Sequence, residues 1–541
     1  GGVPFRSENR TMENIHSFLK PVDFVVVLIY LVVLIAIGYW VSFIRKQDDK
    51  DNLFLAGRSL GWGSIGLTMW GTNVGPSMLI ASASIGYTTG IVAGNFAWYA
   101  FVFIFLLAVV FAPRYLHSGV TTLPEYMGKR FGPSTQTILA WYSIATILIS
   151  WLALTLFAGG ILVGQILDLP MWAAVIVLVA IAAFFTIAGG LKAVAYTNVF
   201  QMLLLIAVSL ILTVAGLHKA GGIAAVYENT PPGFWNLLRP MDDPNYPWLA
   251  IILGYPVMGI WFWCTDQSMV QSVLGARTLE QGQLGANFTG WLKILDVALF
   301  IIPGIVCFLL FPGLEDPDEA YMTMVTRLFP AGMTGLVMAV LIAALISTID
   351  SALNSLSTIV TLDIYVKNFK PAASRKEIIT VGRYATVAGA GVAILIALAI
   401  DSIKGLNLFD IFQAVLGFLA PPMSVLFLFG VLWKKTTTRA ANFTLLFGTL
   451  FSLGTGVFYL WVFPDEKYGF WPHFLLLSFF IFVILAFLTW GVVMTDKNRV
   501  RETVNSMDFS GMQKPTRLVW GWWIALITVM VSFYIFFNGH S

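Results

Sequence analysis

AALISTIDSALNSLSTIVTLDIY, residues 343–365, is an apolar segment long enough to cross a bilayer, with a seam of polar groups along it. Ser347, Thr348, Asp350, Ser351, Asn354, Ser355, Ser357 and Thr358 all fall within it. A carboxylate at the centre of a membrane helix costs roughly 2.5 to 3.5 kcal/mol on insertion scales, so such groups persist mainly where an ion or solute passes. Mid-span serines and threonines have a plainer use, bonding back to the carbonyl one turn earlier and packing against neighbouring helices. That reading covers Ser347 and Thr348 taken alone, but Asp350 requires a partner. A bound cation, a proton or Lys293 in the preceding span would serve.

Composition places this segment in context. Hydrophobic residues make up 58% of the 541 positions and charged residues 11%, with a mean hydropathy of +0.83. No soluble globular domain carries that balance. Runs of about 20 apolar residues predict about fourteen spans, near 22–45, 61–86, 90–115, 135–166, 171–188, 192–218, 247–273, 280–311, 330–366, 377–399, 406–434, 437–463, 472–495 and 518–538. These runs are far longer than barrel strands, so the expected fold is an all-α integral membrane protein.

Alternate loops are rich in Lys and Arg (Arg114, Lys129, Arg130, Lys367, Lys370, Lys434, Lys435, Lys497 and Arg499 among them), which predicts the cytoplasmic side. Both termini are then extracytoplasmic, in the inner (plasma) membrane. The net charge of +3 reflects this bias and implies no nucleic-acid partner. Cys264 and Cys307 lie inside predicted spans without metal-ligand spacing. Residues 1–11 read as an expression scar ahead of a start at Met12, leaving residues 12–541 as one domain.

Two segments place helix-breaking residues in mid-membrane: GTNVGPS at 71–77 and GYPVMG at 254–259. Each falls in the first span of a group of five, 61–218 and 247–434. Interrupted helices at matching positions in two halves are a mark of inverted-repeat transporters with a midplane site. The flanking helices would be 22–45, 437–463, 472–495 and 518–538.

Hard cations prefer several oxygen ligands, which broken-helix carbonyls and the Ser347 and Thr348 hydroxyls supply. Lys293, in the middle of its span, needs a partner of its own: Asp296, Asp266 or a substrate oxygen. Around it the aromatic and amide side chains of Trp70, Asn73, Asn95, Phe96, Trp98, Phe262, Trp263 and Gln413 offer rings to stack on C–H faces and amides to bridge hydroxyls. No nucleophile elbow, HExxH or phosphate-cradling glycine loop is present, so the chain is not expected to be an enzyme or an ATP-driven pump.

FLAGRSLGW (54–62), TTLPEYMGKRFG (121–132), IAGGLKAVAYTNVFQ (187–201), WFWCTDQSMVQ (261–271), LNSLSTIVTLDIY (353–365) and FGVLWKKTT (429–437) resemble the solute:sodium symporters, within them the sodium/glucose cotransporter branch of bacteria. The resemblance implies a leucine-transporter-type fold, a five-plus-five inverted repeat with flanking helices, working by alternating access with sodium as the coupling ion. It implies a main sodium site of the Gly71, Val74 and Ala344 carbonyls with the Ser347 and Thr348 hydroxyls, the threonine standing where a second serine is usual. It also implies a substrate pocket at Asn73, Phe96, Trp263, Lys293 and Gln413, with Phe262 as inner gate.

At four pocket positions this chain departs from the glucose and galactose members: Met78, Ala97, Gly259 and Phe262 stand where those carry hydrogen-bonding groups. Space freed at Ala97 and Gly259 predicts a sugar-like solute larger or less hydroxylated than glucose. Members with a second sodium site place an aspartate where this chain has Asn198, and hydroxyls where it has Asp350 and Ser351. These three residues are the expected second cation site or a proton site. Two other readings compete: symport of an organic anion (a monocarboxylate or acidic sugar) with Lys293 as its counter-ion, and an uncoupled ligand-gated sensor or channel. The protein is expected to act as a monomer.

Overall fold

The computed structural model describes residues 19–44, 54–315, 317–402, 408–504 and 506–538. Its principal helices are α1 (Pro21–Tyr39), α2 (Trp62–Asn73), α3 (Pro76–Thr89), α4 (Ala100–Leu106), α5 (Pro133–Thr146), α6 (Met171–Lys219), α7 (Trp248–Ile260), α8 (Gln267–Leu274) and α9 (Leu279–Asp296). They continue with α10 (Met333–Ile359), α11 (Arg375–Ser402), α12 (Leu408–Phe427), α13 (Thr438–Val457), α14 (Phe474–Thr495) and α15 (Arg517–Phe536). Among the described residues, eleven continuous helical runs are long and apolar enough to cross a membrane, several extended by a π-helical turn. Residues 1–11, read from the sequence as an expression scar, lie outside the described residues.

The run count falls below the fourteen expected spans partly because α6, 49 residues long, contains a reversal. Gly190 has φ 55° and ψ −146°, a conformation essentially restricted to glycine. On one side of it Phe185 meets Gly38 of α1, and Gly189 faces Ser42. On the other, Phe200 stacks on Tyr30 of α1 at 5.6 Å. Phe185 and Phe200 both sit back along α1 from Ser42, so the chain doubles back at Gly190 and the run makes two passes. The expected boundary between 171–188 and 192–218 falls at this turn.

The first helix break appears where the sequence places it. α2 ends at Asn73, Val74 and Gly75 are extended, and α3 begins with Pro76. Proline has no N–H for the carbonyl four residues earlier, so Thr72 lacks its helical partner. The second break is displaced. GYPVMG stays helical through Pro256, a π-helical turn follows at Trp261–Thr265, and the extended residue is Asp266. Asp266 then caps α8 by accepting the Ser268 amide at 2.9 Å. A side-chain acceptor at an N-cap stabilises a helix start, which is why the interruption settles there rather than at the glycines.

α10 is the central element. Met333 to Phe369, including its π-helical extension, forms the most deeply enclosed membrane-length run. It packs against α6, α1, α2 and α11, with the α6–α10 contact the most extensive between helices among the described residues. Asp23 of α1 anchors its start, its Oδ1 accepting the Gly332 amide at 2.6 Å and the Gly335 amide at 2.8 Å.

Candidate functional site

At the α2 break, α10 comes close enough that a Cβ on Gly71 would lie 3.0 Å from Ser347 Oγ and 2.9 Å from Met202 Cγ. The Ser347 hydroxyl is fully buried and has no hydrogen-bond partner among the described residues. Thr348 Oγ1 donates at 3.3 Å to the Thr72 carbonyl, the one Pro76 leaves unpaired, or at 3.3 Å to the Ala344 carbonyl. Both bonds are long, and the hydroxyl keeps its lone pairs. The five residues expected at the main sodium site thus come from two helices in contact: Gly71 and Val74 at the end of α2, and Ala344, Ser347 and Thr348 on α10. A buried hydroxyl without a partner is costly, and a cation bound by oxygens would satisfy it.

One turn further along α10, Ser351 Oγ is 2.9 Å from Thr72 Oγ1. Asp350 is buried and, among the described residues, neither carboxylate oxygen has a hydrogen-bond partner; its backbone carbonyl accepts from Thr186 Oγ1 at 3.2 Å. Asn198, one turn before Met202 on α6, is also buried, and among the described residues both its amide atoms are unpartnered. Gln201, the last residue of the 187–201 motif, is in the same condition. Ser347 and Ser351 share the α10 face turned to α2. Asp350 lies about 60° round from Ser347, given 3.6 residues per turn. Lys293 is not the partner of Asp350; its charge is used elsewhere.

Lys293 Nζ donates to Asn73 Oδ1 at 2.6 Å and to Asp296 Oδ2 at 2.5 Å, while Trp70 Nε1 donates to Asp296 Oδ1 at 2.7 Å. The ammonium also lies 5.9 Å from the centroid of the Trp263 ring. Asn73, Trp70, Trp263 and Lys293 are thereby brought together, and of the possible partners for Lys293 it is Asp296, three residues on along α9, that is engaged. Asp266 is taken by Trp151 Nε1 at 3.0 Å. Trp151 in turn packs against Phe262 at 5.3 Å, and Phe262 edges Trp263 at 5.0 Å. The brace from Asp266 through Trp151 to Phe262 crosses more than a hundred positions, and no local pattern announced it.

Phe96 is half-buried, edge-on to Tyr246 at 6.1 Å and Tyr255 at 5.8 Å. Met78 is half-buried and Ala97 buried. The space expected at Gly259 is absent: a Cβ there would collide with the Phe103 ring, which fills it. Asn95 is structural, donating to the Val92 and Leu237 carbonyls and accepting from Tyr534. Trp98 donates to the Ile294 carbonyl at 3.3 Å and packs on Phe533. Gln413 belongs to α12, but its side chain lies outside the described residues.

The sequence matches the sodium:solute symporter family over residues 53–448. The chain belongs to that family. Sodium/glucose cotransporter 1 of Ovis aries is 32% identical over 483 residues, covering 80% of this chain and 73% of that protein. Sodium/myo-inositol cotransporter 2 of Homo sapiens is 33% identical over 470 residues, covering 80% and 70%. Among solved structures, a Na⁺-coupled sialic acid symporter in a substrate-bound outward-open state superposes with a TM-score of 0.76 at 17% identity, covering 88% of this chain and 98% of that one. A nucleobase-cation-symport-1 family transporter in a closed conformation gives 0.50 at 14%, covering 84% and 99%. The fold is therefore the leucine-transporter type, with its two interrupted helices at α2/α3 and α7/α8. As a member of the sodium:solute symporter family, the protein is a multi-pass membrane transporter that couples solute movement to sodium, and it is not an enzyme.

Proposed function

We propose that this symporter carries a neutral, sugar-like solute inward together with sodium. Sodium binds at the Gly71, Val74 and Ala344 carbonyls and the Ser347 and Thr348 hydroxyls, holding α2 against α10. The solute binds beside it at Asn73, Phe96, Trp263, Lys293 and Gln413, with Met78 and Ala97 bordering that region and Phe262 closing it toward the cytoplasm. The observation carrying this reading is that Asn73, two residues past Gly71, reaches Lys293 directly. Occupancy by sodium and recognition of solute thus bear on the same turn of the same broken helix. Coupling follows when each ligand favours one arrangement of that turn over the other.

Asn198, Asp350 and Ser351 form a second cation or proton site, since a buried carboxylate without a counter-charge needs one of the two. The glucose and myo-inositol cotransporters among its relatives support a polyhydroxylated solute. The expected setting is the plasma membrane, with both termini outside and the protein acting as a monomer.

Proteoliposomes loaded against a sodium gradient test the reading with a panel of hexoses, N-acetylhexosamines and inositols. Uptake above the external concentration with sodium, and none with choline, is expected. Thr348→Ala should raise the half-saturating sodium concentration about tenfold, the loss of roughly 1.4 kcal/mol of ion binding. Normal uptake by Thr348→Ala at every sodium level would refute the site.

A further inference from the structure

The partners of Lys293 bear on which solutes the site accepts, an inference that rests on the placement of Lys293 in the solute site under the proposed function. Lys293 and Asp296 are each at most 2% exposed, so neither charge is relieved by water. Both lie on one face of α9, three residues apart. Each carboxylate oxygen is engaged, Oδ2 by Lys293 and Oδ1 by Trp70. Of the three ammonium protons, one goes to Asp296 and one to Asn73. Among the described residues the third proton meets no hydrogen-bond acceptor, so it is the one a ligand would take, on a group whose charge is already cancelled. Such a pair can donate to a hydroxyl or ring oxygen, but it has no net positive charge for a carboxylate. An anionic solute would place two negative groups beside one positive one, out of water, where like charges repel strongly.

We propose that Asp296 is the charge-selectivity residue of the solute site: by neutralising Lys293 it makes the pocket accept neutral polyhydroxylated solutes and reject acidic ones of the same shape. It acts through Lys293 and is a positioning residue that does not itself touch solute. The organic-anion reading requires an uncompensated Lys293, and this pairing removes it.

Sodium-driven uptake of D-glucose and myo-inositol, compared with D-glucuronate, tests this in the wild type and in Asp296→Asn, Lys293→Gln and the double variant. The wild type should favour the neutral probes. Asp296→Asn leaves Lys293 uncompensated and should raise the glucuronate-to-glucose ratio about a hundredfold, the factor a unit charge some 6 Å away supplies at an effective dielectric near 20. The double variant, neutral again, should return the ratio toward that of the wild type, which a merely structural role for Asp296 would not do.

An unchanged ratio in an Asp296→Asn protein that still transports glucose overturns the inference and leaves sugar symport standing. If Asp296→Asn does not fold, Lys293→Gln decides: it exposes Asp296 and must lower the ratio, and a ratio equal to the wild type's or higher overturns the proposal. A wild type that prefers glucuronate overturns both the inference and the neutral-solute reading, while sodium-coupled symport stands. A wild type that moves none of the three probes overturns the sugar reading, and the inference with it.

Discussion

Ser347→Ala separates an ion ligand from a packing residue. In the structure the Ser347 hydroxyl is fully buried and bonds to none of the described residues, and an unsatisfied buried polar group costs about 1–3 kcal/mol. Removing it from the sodium-free protein should therefore leave stability unchanged or raise it by about 1 kcal/mol. With sodium present the sign reverses. Taking a dissociation constant of about 10 mM, about 100 mM sodium stabilises the wild type by roughly 1.4 kcal/mol, and a tenfold weaker site by only about 0.4 kcal/mol. The sodium-induced part of the stability should thus fall by about 1 kcal/mol in the variant. Thermal unfolding in matched sodium and choline buffers measures both terms, and sodium titration of uptake gives the accompanying tenfold shift. Equal sodium stabilisation in the two proteins, or a sodium-free variant weaker by more than about 2 kcal/mol, would refute the reasoning. The second result would mean that the hydroxyl serves the fold.

Two other substitutions test neighbouring parts of the site. Asp350→Asn removes the buried charge of the proposed second site, and the ratio of charge to solute moved in liposomes should drop from two to one; a ratio of one in both proteins would dismiss that site. Gly259→Ala should destabilise the protein by about 1–3 kcal/mol through overpacking against Phe103, measured by thermal unfolding and relieved by Phe103→Leu. An unaltered melting temperature would mean that Gly259 borders open space after all.

Several features of the site were legible because they are local. Pro76 marks the first break by lacking an N–H, and the seam from Ser347 to Ser351 shows itself as costly groups in an apolar run. Lys293 and Asp350 stood out for the same reason. The second break was misplaced because Gly254, Pro256 and Gly259 can all be tolerated inside a packed helix, whereas Asp266 offers a cap. The volume assigned to Gly259 failed since a missing side chain says nothing about which neighbour moves in. Asn95 looked like a pocket amide, yet two carbonyls and Tyr534 use it fully.

Membrane class, helical fold, the first broken helix, the family and its coupling ion were set by sequence alone, since hydropathy, a missing N–H and the cost of a buried charge act residue by residue. The tertiary structure alone decided which charge meets which. Lys293 and Asn73 are 220 positions apart, and Thr72 and Ser351 are 279 apart. Whether Asp350 or Lys293 finds a counter-charge depends on how α2, α6, α9 and α10 pack around one another. Among the described residues, that packing leaves Lys293 neutralised and the Asp350 carboxylate without a counter-charge.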